Sequence, residues 1–173
     1  MRHFFRRMET EQLYKIFKQS SGVVTDSRIA GKGQIFFALR GYNYDGNKFA
    51  SDALQEGASW AVIDDPLFKT EKTILVDDCL NELQSLALHH REEMNIPVLA
   101  ITGTNGKTTT KELIASVLSK KYKVHYTRGN LNNHIGVPLT ILSAPAATEL
   151  MIIEMGASHI GEISRLCMIA KPD

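Results

Sequence analysis

Alternating strand-like and helix-like segments predict an α/β protein in two parts. Residues 1–95 read as a small amino-terminal α/β domain. Residues 96–173 read as the first part of a parallel-sheet domain built on a phosphate-binding loop. Three observations carry this. Short apolar runs recur, each followed by a turn-rich or helix-period segment. The pattern restarts after Asn95-Ile96-Pro97, a junction by its turn chemistry. Val98-Leu99-Ala100-Ile101 then leads directly into Thr102-Gly103-Thr104-Asn105-Gly106-Lys107-Thr108-Thr109 and a helix over 111–120.

In chain order, residues 9–19 carry Leu13, Tyr14, Ile16 and Phe17 at helical spacing, a short amphipathic helix. Strands are predicted at 23–24 and 34–39, on either side of the turn-rich Ile29-Ala30-Gly31-Lys32-Gly33. A helix over 49–56 closes at Gly57. Asp64-Asp65-Pro66 ends a strand at 60–63, and another strand follows at 73–76. Asp77 or Asp78 caps a long helix running to Met94, on which His89 and His90 are expected to face solvent. In the second part, strands are predicted at 123–126 and 149–154. The latter has the continuous apolar run of a central parallel strand. A helix over 161–170 follows, and Lys171-Pro172-Asp173 reads as the lead-in to a further strand.

The bulk properties narrow the class. With 43% hydrophobic and 23% charged residues, the chain has the composition of a soluble globular protein. A net charge of +1 offers no electrostatic argument for nucleic acid or an anionic membrane as partner. No apolar stretch approaches the roughly 20 residues that span a bilayer. The start, Met1-Arg2-His3-Phe4-Phe5-Arg6-Arg7, lacks the apolar core of a signal peptide, and Met8 is a second candidate start. Cys79 and Cys167 have no metal-ligand spacing, which fits a reducing cytoplasm.

The glycine turn carries the chemistry. Its backbone N–H groups can close on phosphate oxygens at a helix N-terminus. Lys107 offers a charge to the outer phosphates, and Thr108 a hydroxyl to Mg²⁺. The spacing departs from the general phosphate-loop pattern, which wants glycine at Ile101. Glu154 ends its strand at the sheet edge where open α/β sheets bind ligands, so it is a candidate Mg²⁺ ligand. The loop Thr127-Arg128-Gly129-Asn130-Leu131-Asn132-Asn133-His134-Ile135-Gly136-Val137-Pro138 is polar and shaped, suited to hold a ligand through its amides. His134 is its candidate base. Thr25-Asp26-Ser27-Arg28 and Ala38-Leu39-Arg40-Gly41 sit at strand ends, where Arg with Ser or Thr suits a diphosphate; surface ion pairing accounts for them as well.

These motifs together resemble the Mur ligase family. The loop from Gly103 to Thr109 is similar to that family's G-x-x-G-K-T-T loop, which accounts for Ile101. Thr25-Asp26-Ser27-Arg28, the segment 33–41, Asp45-Gly46, Phe49 and Gly57-Ala58 resemble its amino-terminal UDP-binding domain. Asn130-Leu131-Asn132-Asn133 with Gly136-Val137-Pro138, and Glu154-Met155-Gly156-Ala157 with Gly161-Glu162-Ile163, resemble the members that join D-alanyl-D-alanine to UDP-N-acetylmuramoyl-tripeptide. The resemblance implies a UDP-substrate domain followed by part of an ATPase domain. It implies a cytoplasmic, monomeric, ATP- and Mg²⁺-dependent amide ligase of peptidoglycan synthesis that works through an acyl phosphate.

By the same resemblance, Gly103, Thr104, Asn105, Gly106, Lys107, Thr108 and Thr109 hold ATP, while Thr108 and Glu154 hold Mg²⁺. Ser27, Arg28, Ala38, Leu39, Arg40 and Gly41 hold the UDP end of the substrate. Asn130, Asn132 and Asn133 contact substrate, and Lys107, Asn133 and His134 are the candidate catalytic residues. Asn47-Lys48-Phe49 stands where the family often has His-Asp-Phe. Family members are over twice this length, so the chain by itself is expected to be inactive. Three other readings stay open: the related ligase that adds the third peptide residue, a folylpolyglutamate synthase-like enzyme, and a non-enzymatic UDP-sugar-binding module.

Overall fold

The computed structural model describes residues 10–173; the basic start, the choice between Met1 and Met8, and the helix start at Glu9 lie outside the described residues. By internal packing the chain divides into two units, one through Leu86 and one from Ala87.

The first unit begins with α1 (Thr10–Lys18), which buries Leu13 and Phe17. Strands β1 (Val23–Val24) and β2 (Ile35–Phe37) follow. A small antiparallel hairpin comes next, β3 (Arg40–Gly41) with β4 (Tyr44–Asp45). Then come α2 (Ala50–Glu56), β5 (Trp60–Ile63) and β6 (Thr73–Leu75). The main sheet is parallel, in the order β1-β2-β5-β6. All three residues of β2 and three of the four in β5 are fully buried, as expected of parallel strands covered on both faces. The predicted turn at Ala38–Gly41 is in part strand, because Arg40 and Gly41 pair with Asp45 and Tyr44.

Beyond the sheet, α3 (Cys79–Met94) starts with Asp78 accepting the Asn81 N–H at 2.7 Å. The division between the units falls inside this helix. His89 and His90 are half-buried rather than solvent-facing, since they follow the stripe of Leu83, Leu86 and Ala87.

The second unit holds β7 (Val98–Ile101), α4 (Lys107–Leu118), β8 (Val124–Tyr126), α5 (Gly136–Leu142), β9 (Leu150–Glu154) and α6 (Glu162–Ala170). Its parallel sheet has the order β7-β9-β8, which puts the apolar run of β9 in the centre. The chain moves outward from β7 to β8 and then back to β9. Right-handed crossovers therefore put α4 on one face and α5 with α6 on the other. The contacts agree: α4 packs on all three strands, while α5 and α6 pack on each other. Asp173 lies along β7, donating its N–H to Val98 O at 3.1 Å and accepting the Val98 N–H at 2.8 Å.

In the second unit, two helices differ from the sequence expectation. The helix after the glycine turn starts at Lys107, four residues early. Its three threonines are weak helix formers, but Gly106, at φ 78°, supplies the left-handed turn that lets the helix begin there. Residues 136–142, predicted partly as loop, form α5 with Pro138 in the first turn, where its missing N–H costs nothing.

Candidate functional site

In the second unit the carboxyl ends of the strands converge on Glu154. It is the last residue of β9 and only 2% exposed. One oxygen, Oε1, accepts the Asn132 Nδ2–H at 3.0 Å. The other, Oε2, accepts the Thr108 hydroxyl at 3.0 Å and lies 3.5 Å from Lys111 Nζ. Burial pushes the Glu154 carboxyl up, but the hydrogen bonds from Asn132 and Thr108 and the Lys111 charge outweigh it and hold the group below its ordinary range.

Local structure explains each of these positions. Gly106 ends the loop, so Lys107 and Thr108 fall on the first turn of α4. Lys107 Nζ folds back onto the carbonyls of Gly103 at 2.7 Å and Thr104 at 3.5 Å. Gly103, Thr104, Asn105 and Thr109 are exposed around it. Asn132 is held by a backbone bond from the Gly156 N–H to its carbonyl, at 2.8 Å. Gly136 admits no side chain, because a Cβ there would come within 2.4 Å of the Leu131 backbone.

The polar loop divides by role. Asn132 reaches Glu154, whereas Asn133 turns its Oδ1 to the N–H groups of Ile135 and Gly136, at 3.0 and 2.9 Å, and so caps α5. Asn130 and His134 are exposed.

Lys111 is the residue the sequence reading missed. It is fully buried, close to Glu154 and 3.3 Å from Glu112 Oε1, with the Tyr126 ring 5.9 Å away. A signal was present. Lys111, Ile114, Ala115 and Leu118 form an i, i+3, i+4, i+7 stripe, and a lysine in such a stripe needs a buried partner.

The first unit has its own cleft of about 720 Å³, lined among others by Thr25, Ser27, Arg28, Tyr44 and Phe49. The Tyr44 and Phe49 rings stack at 5.4 Å. Ser27 is buried; Arg28 is exposed and paired to Asp26 through two bonds of 2.9 and 2.7 Å. Chiefly through those bonds, Asp26 is lowered to about 2. Ala38, Leu39, Arg40 and Gly41 do not line this cleft. Ala38 and Leu39 are buried, and Gly41 is exposed in the hairpin. Arg40 is held by Asp64 at 2.7 Å, with Asp45 and Asp65 each at 3.6 Å.

Asn47 is fully buried. It donates to Asp45 and Asp64 at 2.8 Å each, and accepts the Asp64 N–H at 3.0 Å.

Among the described residues no group of three or more His, Cys, Asp or Glu side chains could hold a metal. Mg²⁺ does not require one, because it takes one or two protein oxygens and completes its shell with phosphate and water. The Thr108 hydroxyl and Glu154 carboxylate fit that demand. Among the described residues no helix is long and apolar enough to cross a membrane.

A glycine loop opening a helix beside a buried strand-end carboxylate, at the carboxyl edge of a parallel sheet, places the chain among the open-sheet α/β proteins, whose ligands gather at that edge. Residues 19–99 match the family model described as the Mur ligase family catalytic domain, and residues 101–173 the Mur ligase middle domain. This chain belongs to the Mur ligase family. It is 44% identical over 155 residues to the UDP-N-acetylmuramoyl-tripeptide–D-alanyl-D-alanine ligase of Bacillus subtilis (strain 168), covering 88% of this chain and 34% of the relative. The enzyme of that name from Synechocystis sp. gives the same identity and coverage. Among solved structures, MurF from Acinetobacter baumannii superposes with a TM-score of 0.85 at 32% identity, over 96% of this chain and 40% of that one. MurF from Thermotoga maritima in complex with ADP gives 0.81 at 33%, over 91% and 36%. The chain thus spans about a third of the length of the curated relatives it matches.

Proposed function

We propose that this chain carries the UDP-substrate cleft and the ATP site of a ligase that joins D-alanyl-D-alanine to UDP-N-acetylmuramoyl-tripeptide. The observation that carries the reading is the meeting of Thr108 and Glu154 at 3.0 Å, one residue past Lys107. A triphosphate lying on the α4 N-terminus would present its outer phosphates to Lys107, and Mg²⁺ would be held by Thr108 and Glu154. When bound, the ion would draw charge from the transferring phosphoryl group.

The chain's own residues position and neutralise. Lys107 exchanges its bonds to the Gly103 and Thr104 carbonyls for phosphate oxygens. Asn132 keeps Glu154 in place. The tripeptide carboxylate takes the γ-phosphoryl group, ADP leaves, and the dipeptide amine displaces phosphate from the acyl phosphate to form the amide. The cleft beside Ser27 and Arg28 takes the UDP end, its stacked Tyr44 and Phe49 offering an aromatic face to the base.

Calorimetric titration of ATP–Mg²⁺ and of UDP-muramoyl tripeptide onto this chain tests both halves. Lys107→Ala should abolish nucleotide binding with unchanged circular dichroism, because a charge in the phosphate cradle is lost. Near-normal affinity in that variant would show that the loop is not a phosphate site.

A further inference from the structure

We propose that Lys111 is the resident counter-ion of Glu154, and that it makes the metal position conditional on nucleotide. The inference rests on the reading of Thr108 and Glu154 as an ATP–Mg²⁺ site. Its ground is placement. Lys111 is fully buried on the sheet-facing stripe of α4, and its Nζ makes no well-formed hydrogen bond. It is held instead by two carboxylates, Glu154 Oε2 at 3.5 Å and Glu112 Oε1 at 3.3 Å. Glu112 is about half exposed, so water screens much of its share. Glu154 is buried and unscreened.

The charge count decides the consequence. Around Glu154 the chain sets one buried carboxylate against the ammonium of Lys111, with Lys107 at the same helix end. That balance is already neutral or positive. A bare divalent ion at Glu154 Oε2 meets the repulsion of an ammonium a few ångströms away that cannot swing into solvent. A magnesium triphosphate is itself anionic, and its phosphates offset both lysines as the ion reaches Glu154. Lys111 thus acts through Glu154 as a positioning residue. It keeps the carboxylate placed without a metal and reserves it for an ion that arrives with its nucleotide.

The test uses Mn²⁺ as probe, with free Mn²⁺ followed by electron paramagnetic resonance at pH 8 on this chain without nucleotide. Mn²⁺–ATP affinity is measured separately by calorimetry. Lys111→Met should raise nucleotide-free Mn²⁺ affinity roughly tenfold or more, with no matching gain for Mn²⁺–ATP. Adding Glu154→Gln should remove that gain. A folded Lys111→Met chain with unchanged Mn²⁺ affinity overturns the proposal, as does a gain that survives Glu154→Gln. If circular dichroism shows that Lys111→Met does not fold, Lys111→Gln is read the same way. If that fails too, the wild type decides: Mn²⁺ bound without nucleotide as tightly as Mn²⁺–ATP overturns the proposal, and no such binding where Mn²⁺–ATP saturates supports it. A wild type that does not bind Mn²⁺–ATP at all refutes the ATP-site reading, and this proposal falls with it. A wild type that binds it, beside an unchanged Lys111→Met, refutes the Lys111 role alone.

Discussion

Each unit of this chain pairs a cation with a carboxylate beside its candidate ligand site, and burial separates the two pairs. Lys111 and Glu154 are 1% and 2% exposed at their side chains. Arg28 and Asp26 are 85% and 37% exposed, although their 2.7 Å contact is the shorter. Distance alone would rank them the wrong way round. In water an ion pair exchanges one set of good contacts for another, so the exposed pair adds little to folding and leaves Arg28 available to a ligand. In the interior neither partner can be resolvated, so each depends on the other and on Asn132 and Thr108.

The largest effect should come from breaking the buried pair on one side. Lys111→Met is expected to lower the stability of the chain by about 3 kcal/mol, because it strands a buried carboxylate. Adding Glu154→Gln should recover much of this, since the second change removes the stranded charge. Urea denaturation of the two singles and the double makes the comparison. Strict additivity would show that the two groups do not act as a pair.

Asn47→Ala should come next, at about 2 kcal/mol in the same experiment. It leaves the half-buried Asp64 N–H and two carboxylates short of partners. A loss near zero would mean that water replaces the amide.

The pH dependence of stability is a smaller and more diagnostic effect. Glu154 is held below the ordinary glutamate value of 4.5, so the unfolded chain takes up this proton first. Its contribution is full above 4.5 and is lost as pH falls through its own lower value. Stability measured against pH should therefore fall less steeply below 4.5 in Glu154→Gln than in the wild type. Parallel curves would remove Glu154 as a source of the acid sensitivity.

The smallest effect on folding is expected for Arg28→Ala. The denaturation midpoint should stay unchanged while affinity for UDP-muramoyl tripeptide drops. A clear shift in the midpoint would make the exposed pair structural and erase the contrast between the units.

Much of this was legible in the residues. The buried strands could be read because parallel strands covered on both faces leave continuous apolar runs, as in Ile35-Phe36-Phe37 and Met151-Ile152-Ile153. The meeting point of Thr108 and Glu154 could be anticipated because open α/β sheets gather their ligands at strand ends. The helix α5 was hidden by its own start, where Asn, Gly and Pro have the composition of a loop although two of them cap and open a helix. Arg40 could be read either as a diphosphate ligand or as one half of a surface ion pair, and its 2.7 Å contact with Asp64 was not legible because the two residues meet only in the folded chain.

The sequence by itself determined the α/β class, the family and the loop that opens α4, because each rests on local periodicity or on spacing within a few residues. Tertiary structure alone decided which side chain does what at the sheet edge. Asn132 and Asn133 are neighbours of identical chemistry, yet one holds Glu154 and the other caps a helix. Lys111 stands on an apolar stripe that the sequence shows, but only packing against β9 removes it from water and brings it to Glu154. Solvent exposure and the distance between groups remote in sequence set the strength of a charge interaction, and both exist only once the chain has folded.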